Sequence, residues 1–428
     1  MQRKLLKDLI AWKNKINKKP LVISGIRGVG KTFLADDFIH TSFSANVYFN
    51  FELDSTAASL FSSDITNTLN NISSYYDTEI DYENTAIVLD EFVSDNVMDF
   101  ITEYSKHVKS FASSADKTNL IKLNIICLIS DCNLMGYFYK NKPVDLLIDN
   151  TAYFQHIILY PFDFDEFLQA IGKDWYCETI SEHFSTNKPV PDIVHEELLN
   201  YFNLYIYIGG MPYAINEYLM TNSLTNISQC HHQILNNNLM DLYERVDYGE
   251  FIKTSAVYNT IPAQLSKPNH KFQYTLIRKG ATCNIYKHSI NNICSIGYAK
   301  KCCKSDMESS FKLYMCDVGL LNSLNKANNN DEFNKSLIEN YVFENLIANG
   351  NDVTFWESKS QAKIDFVTKK NDHIYAIEVK NSQDTRSKNY SIFKETVSEN
   401  DGLIKVSTRN FSYNKGIKYI PLYAVSCI

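Results

Sequence analysis

The sequence predicts an α/β protein whose N-terminal part is built around a parallel β-sheet. Up to about residue 168, short apolar runs typical of buried strands alternate with segments of helical apolar spacing. A glycine-rich segment follows the first of these runs, and two acids end the third. Sheets of this kind bind ligands at the carboxyl ends of their strands. The predicted strands are 21–24, 45–50, 86–90, 123–130 and 156–159.

The glycine-rich segment, GIRGVGKT at 25–32, has the spacing G-x-x-x-x-G-K-[ST] of a phosphate-binding loop. It lies between a predicted strand and a predicted helix, as the motif requires. In such a loop the backbone N–H groups surround the phosphates, the lysine reaches the β- and γ-phosphates, and the hydroxyl ligates Mg²⁺. The sequence therefore predicts binding of ATP with Mg²⁺, with Lys31 in a catalytic role and Thr32 as a metal ligand. The predicted nucleotide-binding residues are Gly25, Arg27, Gly28, Val29, Gly30, Lys31, Thr32 and Phe33.

A second apolar run, TAIVLDE at 85–91, ends in two acids and has the form of a buried parallel strand. Such a strand delivers a carboxylate to the magnesium ion of the nucleotide. We expect Asp90 to hold the ion through its water shell, and Glu91 to orient and deprotonate the attacking water. The pair predicts ATP hydrolysis as well as ATP binding.

The strand predicted at 123–130 ends in Ser130, beside the expected position of the γ-phosphate. Two interpretations stay open: Ser130 is a sensor of the nucleotide, or Ser130 and Asp131 cap the next turn. The candidate for an arginine finger is Arg245, one of the few arginines outside the loop.

Length and composition limit the class of protein. A chain of 428 residues predicts two to four domains, and a hydrophobic content of 45% excludes a disordered chain. The apolar runs are too short to cross a bilayer and the charged N-terminus lacks a secretory signal, so we expect a soluble, cytoplasmic protein. Ten scattered cysteines without metal-binding spacing predict reduced thiols. The net charge of −7 argues against a protein coated in nucleic acid, although local basic patches are compatible with it.

After the predicted ATPase core over 1–168, the sequence of the middle of the chain predicts two further modules. A helical pattern over 169–248, split by GGMP at 209–212, indicates a helical lid. Short helices, a strand and a turn over 249–327 are compatible with a winged-helix-like module, which serves DNA binding and protein packing equally often. An asparagine-rich linker precedes the last domain, at 332–428.

In the last domain the sequence predicts a helix at 336–347, with Glu339 at the edge of its apolar face. Segments with the alternating pattern of strands follow this helix. A two-residue turn at 371–372 pairs Lys370 with His373 and places Asp365 across from Glu378.

Facing carboxylates are destabilising unless a proton or a cation separates them, and Mg²⁺ is the natural cation for such a pair. Asp365, Glu378 and Lys380 form the pattern D…E-x-K, in which the carboxylates hold Mg²⁺ against a phosphate and the lysine assists catalysis. The alternative is an exposed face on which Glu378 and Lys380 form ordinary salt bridges.

Together these segments resemble a prokaryotic family of AAA-type ATPases with a PD-(D/E)XK nuclease-like C-terminal domain of uncharacterised function. The resemblance covers nearly the whole chain, and the motifs follow the family's order. They are GIRGVGKT, IVLDEF, LYPFDFDEF at 159–167, YIGGMPYAINEYL at 207–219, KLYMCDVGLL at 312–321, IENYVFENL at 338–346, and KIDF followed by IEVKNS. The resemblance implies a P-loop NTPase core, a winged-helix-like middle and a restriction-endonuclease-like α/β domain at the C-terminus.

The resemblance also implies a set of site residues in the last domain. Glu339, Asp365 and Glu378 match metal ligands of the nuclease-like set, and Lys380 completes it. Two positions depart from the family pattern. Lys363 stands where the family commonly has an acid, and 130–132 replaces a Thr-Gly-Ser-like sensor segment.

Two functional hypotheses follow. The first is an ATP-driven, DNA-associated enzyme whose nucleotide cycle controls a Mg²⁺-dependent nuclease domain. The second is an ATP-dependent switch that gates contacts with a partner, in which the nuclease fold is a protein- or nucleic-acid-binding platform without cleavage. Both are compatible with oligomerisation. The retained Asp365, Glu378 and Lys380 favour the first hypothesis, and the acidic net charge favours the second.

Overall fold

The computed structural model describes most of the chain, in two compact units. The first unit contains Arg3–Leu159 with Ser295–Gly297, and the second contains Tyr160–Cys294 and Tyr298–Ile428. The main segment of the first unit runs to residue 159, and the core predicted from the sequence covers 1–168. The described residues are 3–92, 94–112, 122–130, 153–325, 335–359, 362–370, 372–380, 388–397 and 399–428.

The first unit is a parallel sheet with helices in its crossover connections. Its strands are β1 (Leu21–Ser24), β2 (Ala45–Asn50), β3 (Thr85–Asp90), β4 (Asn124–Ile129) and β5 (Gln155–Ile158). Its helices are α1 (Leu6–Lys13), α2 (Lys31–Ser42), α3 (Ile65–Tyr76) and α4 (Asp95–Ala112), with a 3₁₀ turn at Ser55–Leu60. The five strands predicted from the sequence are all present, with bounds that differ by at most one residue.

The strand order β2-β3-β4-β1-β5 determines where the site is built. Every residue of β1, β3 and β4 is buried, which explains their nearly continuous apolar sequences. Strand β4 pairs in parallel with both β1 and β3. The residue that follows β4 therefore lies between the loop after β1 and the acids at the end of β3.

The second unit begins with helices and ends in a large mixed sheet. Its helices are α5 (Phe164–Ala170), α6 (Trp175–Thr186), α7 (Asp192–Ile208), α8 (Pro212–Thr221), α9 (Ile227–Arg245), α10 (Tyr248–Leu265), α11 (Cys283–Ile296), α12 (Val318–Leu324), α13 (Lys335–Ala348) and α14 (Lys388–Thr396). Its strands are β6 (Ala299–Lys304), β7 (Met307–Met315), β8 (Asp352–Glu357), β9 (Lys363–Lys370), β10 (His373–Val379), β11 (Gly402–Ser407), β12 (Ser412–Asn414) and β13 (Ile417–Pro421). The 3₁₀ turns are Tyr274–Leu276 and Leu422–Cys427.

The eight strands form one sheet in the order β12-β13-β11-β10-β9-β8-β6-β7. From α13 to β11 the chain runs helix, three antiparallel strands, helix α14 and a strand parallel to β10. The β6–β7 hairpin belongs to the expected winged-helix-like module, yet β6 pairs with β8. One sheet therefore crosses the expected boundary between 249–327 and 332–428, and the linker predicted between them lies outside the described residues.

Three of the motifs meet at a buried junction in the second unit. The N–H of Gly210 donates to Oδ2 of Asp317 at 2.6 Å, and Asp317 also caps α12. The N–H of Phe162 donates to the carbonyl of Gly210 at 2.8 Å. A Cβ atom on Gly210 would lie 2.2 Å from the Phe162 carbonyl oxygen, and one on Gly319 would lie 2.7 Å from the Cα atom of Gly209. Close approach of backbone to backbone requires glycine at these positions.

In the ranges that the structure describes, none of the helices has the length and apolarity needed to cross a membrane. The nine cysteines in the described residues are all free thiols, and Cys132 lies outside the described residues.

Candidate functional site

The phosphate-binding loop connects β1 to α2, as the sequence predicts. Gly28 has a φ of 78° and Gly30 a φ of 97°, values that favour glycine over residues with a side chain. A Cβ atom on Gly25 would lie 2.5 Å from the carbonyl oxygen of Leu159. Two of the glycines are therefore required by backbone conformation and the third by close packing.

Lys31 begins α2 and its side chain is buried at the centre of the loop. Its Nζ atom donates to the carbonyl oxygen of Gly25 at 3.0 Å and to Oγ of Ser130 at 2.7 Å. Oε1 of Glu91 lies 3.7 Å from the same Nζ atom. The ammonium group thus connects the loop, the end of β4 and the second acid after β3.

Asp90 ends β3 and is buried, and its carboxylate accepts a hydrogen bond from the hydroxyl of Tyr48 on β2. Burial raises the pKa of Asp90, and the hydrogen bond from Tyr48 opposes that increase. The Tyr48 hydroxyl also interacts with the hydroxyl of Thr32. Tyr48 was not predicted as a site residue. The signal for it is a tyrosine in a strand that pairs with the strand carrying the acids.

Glu91 follows β3 with a φ of 50°, a conformation that costs on the order of 1–3 kcal/mol for a residue with a side chain. Its carboxylate accepts hydrogen bonds from both the backbone N–H, at 3.0 Å, and the hydroxyl of Ser130. The strained backbone thus places this carboxylate against Ser130 and Lys31. Ser130 lies inside the site, where a sensor is expected, whereas Asp131 and Cys132 lie outside the described residues.

The residues present fit a magnesium ion bound with nucleotide. Mg²⁺ prefers oxygen ligands and retains several waters. Thr32 offers a hydroxyl and Asp90 a buried carboxylate, and both interact with the hydroxyl of Tyr48. The two predicted metal ligands therefore lie in one place.

The remaining loop residues have distinct surroundings. Arg27 forms an ion pair with Glu52, Val29 is fully buried, and Phe33 exposes 56% of its surface. The candidate finger Arg245 belongs to the second unit, where its Nε atom donates to Asp241 at 2.9 Å within α9. Its catalytic role stays a prediction.

The C-terminal carboxylates of the predicted metal site are held by lysines. Glu339 lies in the first turns of α13 and is 1% exposed. Its Oε2 atom accepts hydrogen bonds from His270 Nδ1 at 2.7 Å, the Tyr314 hydroxyl at 3.1 Å and Lys312 Nζ at 3.3 Å. Burial opposes ionisation of Glu339, but Lys312, His270 and Lys335 outweigh it and hold the pKa of its carboxyl well below the ordinary value.

The position of Asp365 relative to Glu378 was predicted from the register of the hairpin. Lys370 pairs with His373 and Phe366 with Ile377, so the next residues along the hairpin are Asp365 and Glu378. Oδ2 of Asp365 accepts the N–H of Val379 at 2.9 Å. Burial and the neighbouring Glu339 raise the pKa of the Asp365 carboxyl.

The cation near Glu378 in the structure is a lysine, whereas the sequence predicts Mg²⁺. It is buried, and Oε2 lies 3.7 Å from the ammonium of the buried Lys405 on the adjacent strand. The backbone N–H of Lys380 donates to Val406 at 2.9 Å, just after β10. Lys363, the departure from the family pattern, lies 3.7 Å from Glu357.

Within the described ranges, no three His, Cys, Asp or Glu side chains lie together as a metal site. The three carboxylates predicted to group around Mg²⁺ are instead found in contact with lysines, and their role as metal ligands stays a prediction. The sequence reasoning missed these cations: Lys312, Lys335 and Lys405. For Lys312 and Lys405 the available signal was a lysine inside an otherwise apolar strand, as in KLYM and GLIKVS.

The geometry of the first unit defines a P-loop domain with a parallel sheet, and the comparisons agree. Residues 17–126 match the model of an AAA domain family. Residues 199–331 and 334–425 each match a domain of unknown function, DUF8612 and DUF4143. The chain therefore carries an ATPase-type AAA domain.

The similar solved structures are distant. A Walker-type ATPase of Pyrococcus abyssi is 13% identical over 76% of this chain and 95% of its own, with a TM-score of 0.43. The ORC2 protein of Aeropyrum pernix, in ADPNP-ADP complexes, is 13% identical over 75% and 91% of the two chains, with a TM-score of 0.36. No curated protein matches the chain significantly.

Proposed function

We propose that the chain hydrolyses ATP at the site formed by the phosphate-binding loop and the ends of β3 and β4. The observation that carries this proposal is the contact of one ammonium group, that of Lys31, with both Ser130 and Glu91. A lysine for the phosphates, a carboxylate for water and a hydroxyl between them are the parts that phosphoryl transfer needs.

The residues divide the reaction between them. The loop amides and Lys31 bind the β- and γ-phosphates and offset their charge. Glu91 accepts a proton from the attacking water, and its hydrogen bonds to Ser130 fix its orientation. Mg²⁺, which Thr32 and Asp90 would hold, supplies positive charge to the phosphate oxygens when bound.

Two variants test the proposal. Lys31→Ala should abolish ATP turnover because the γ-phosphate loses its main counter-charge, whereas Glu91→Gln should bind ATP and hydrolyse it about 10²- to 10⁴-fold more slowly. Glu103→Gln is the matched control, since Glu103 pairs with Lys106 on the exposed face of α4. Unchanged turnover in Lys31→Ala would refute the loop assignment, and a fast Glu91→Gln variant would remove Glu91 from the role of base.

For the C-terminal region we propose a nuclease-like fold, supported by the order helix, three strands, helix and parallel strand from α13 to β11. The proposed modules before it are the lid over 169–248 and the winged-helix-like region over 249–327. The ion pairs of Glu339, Asp365 and Glu378 with lysines favour a platform that binds protein or nucleic acid over a metal-dependent nuclease.

A cleavage assay separates the two roles. Single- and double-stranded DNA and RNA are incubated with Mg²⁺ or Mn²⁺, with and without ATP, and wild type is compared with Asp365→Ala. The platform predicts no Asp365-dependent cleavage while ATP turnover persists. Cleavage that is lost in Asp365→Ala and changes with ATP supports the ATP-controlled nuclease instead.

A further inference from the structure

Three carboxylates of the C-terminal region face lysines: Glu339 and Asp365 share Lys335, and Glu378 faces Lys405. Like charges brought together away from water need a cation between them. The sequence predicts Mg²⁺ as that cation. The structure supplies lysine ammonium groups to all three carboxylates, from Lys312, Lys335 and Lys405.

Among these lysines, Lys335 contacts two of the carboxylates. Its Nζ atom lies 3.2 Å from Oε1 of Glu339 and 3.8 Å from Oδ1 of Asp365. The other oxygen atom of each carboxylate accepts a hydrogen bond from a different group. Oε2 of Glu339 accepts one from His270 Nδ1, and Oδ2 of Asp365 accepts one from the backbone N–H of Val379. Lys335 therefore lies at the two oxygen atoms that would otherwise face a bound cation.

We infer that the ammonium group of Lys335 replaces a divalent cation at this centre and excludes it. The inference rests on the proposed nuclease-like domain and names the residue that makes its carboxylate centre independent of metal. Glu378 has a lysine of its own, since its Oε2 atom lies 3.7 Å from the ammonium of Lys405.

The surroundings of Lys335 leave room for a cation once the lysine charge is removed. A cavity of about 50 Å³ adjoins Lys335, Glu339 and Asp365. A water needs about 10–15 Å³ of such space, so the cavity holds a group at least the size of a water. The side chain of Lys335 is 44% exposed, which gives its ammonium group access to solvent.

The test is Mn²⁺ binding to the full chain without nucleotide, measured by calorimetry on wild type and Lys335→Gln. Glutamine keeps much of the length of the side chain and removes the charge. Lys335→Gln should gain one Mn²⁺ site at least tenfold tighter than any in wild type. The double variant Lys335→Gln with Asp365→Asn should lose the site, which excludes binding at the phosphate loop.

Two lysine controls accompany this measurement. Lys363 lines the same cavity and is 46% exposed, but it lies near Glu357 instead, so Lys363→Gln should gain no site. Lys335→Arg keeps the charge and should behave as wild type. Thermal melting adds a second readout: Lys335→Gln should melt at a lower temperature than wild type without Mn²⁺ and regain the difference when Mn²⁺ is added.

Two results would overturn the inference: Asp365-dependent Mn²⁺ binding in wild type, or no gain in Lys335→Gln over Lys363→Gln. Cleavage and ATP turnover are measured on the same variants and report on the proposed function independently. A Lys335→Gln variant that binds Mn²⁺ and cleaves no nucleic acid supports the inference and the platform together.

Discussion

The Nζ atom of Lys31 lies 2.7 Å from Oγ of Ser130, although 99 positions separate the two residues in the chain. The parallel pairing of β4 with β1 and β3 produces this contact, since it places the end of β4 beside the phosphate loop. The same hydroxyl donates to Glu91, so Ser130 connects the phosphate-binding cation to the proposed base.

Ser130→Ala should therefore reduce the rate of hydrolysis more than the affinity for ATP. The variant removes one hydrogen bond to each of two charged groups, and bonds of that kind contribute about 1.5–3 kcal/mol. We expect kcat to fall by about 10- to 100-fold, measured by phosphate release, with a change of less than about threefold in the Kd of ATP. Ser105→Ala, a buried serine of α4 that bonds to backbone carbonyls, should keep wild-type kcat. An equal loss in both variants would assign Ser130 to stability alone.

Tyr48→Phe should move the acid limb of the ATPase pH profile to higher pH. Burial raises the pKa of Asp90, and the hydrogen bond from Tyr48 opposes this, so its loss raises that pKa further. Asp90 must be ionised to act on the magnesium shell, and activity is then lost at a higher pH as the solution is acidified. Tyr76→Phe is the control, because Tyr76 donates only to the backbone carbonyl of Tyr48. A profile in Tyr48→Phe that coincides with this control would separate Tyr48 from the ionisation of Asp90.

The sequence predicts features that depend on neighbours along the chain. The phosphate loop, the acids at the end of β3 and the hairpin register of β9 and β10 are local patterns, and the structure has that loop, those acids and that register from Lys370–His373 to Phe366–Ile377. The contacts of Tyr48 and Lys312 depend on the pairing of distant strands, so a polar residue in an apolar strand can be noticed in the sequence but its partner cannot. The lysines that face the C-terminal carboxylates come from β7, α13 and β11 and depend on the same distant packing, and the Mg²⁺ site there stays a prediction.

The sequence of the GGMP segment predicts where a helix ends, but it does not show which contacts require the helix to end there. The sequence predicts that Gly209 and Gly210 interrupt the helical pattern, and α7 ends there. The reason is the packing of this backbone against Phe162 and Gly319, from distant parts of the chain. Such a junction is structural, and its glycines are needed for stability.

Gly210→Ala should destabilise the second unit by about 3 kcal/mol or more, because the new Cβ atom meets a backbone oxygen that has no freedom to rotate away. Gly280→Ala is the control: its φ is 79°, but no atom lies within 4 Å of a Cβ there, so we expect a cost of about 1 kcal/mol. Hydrogen exchange of peptides from 160–325 measures both. A smaller loss in Gly210→Ala than in Gly280→Ala would show that the junction relaxes.

Glu344 gives a prediction about pH. It is a half-buried residue of α13 whose Oε1 atom is shielded from solvent. Loss of contact with water, and then the charge of Asp317, raise the pKa of its carboxyl well above the ordinary value of 4.5. The folded state therefore keeps a proton that the unfolded state releases above about pH 4.5. Stability contributed by this group falls as the pH rises, by up to about 1.4 kcal/mol per pH unit until the folded pKa is reached.

Glu344→Gln removes that dependence, because glutamine stays neutral at every pH. Relative to wild type, the variant should gain stability steadily between pH 5 and pH 8, measured by hydrogen exchange of peptides from α13. Glu308→Gln, at an exposed position of β7, should show no such trend. A Glu344→Gln variant whose stability relative to wild type is constant across this range would mean that Glu344 ionises in the folded protein as it does in the unfolded chain.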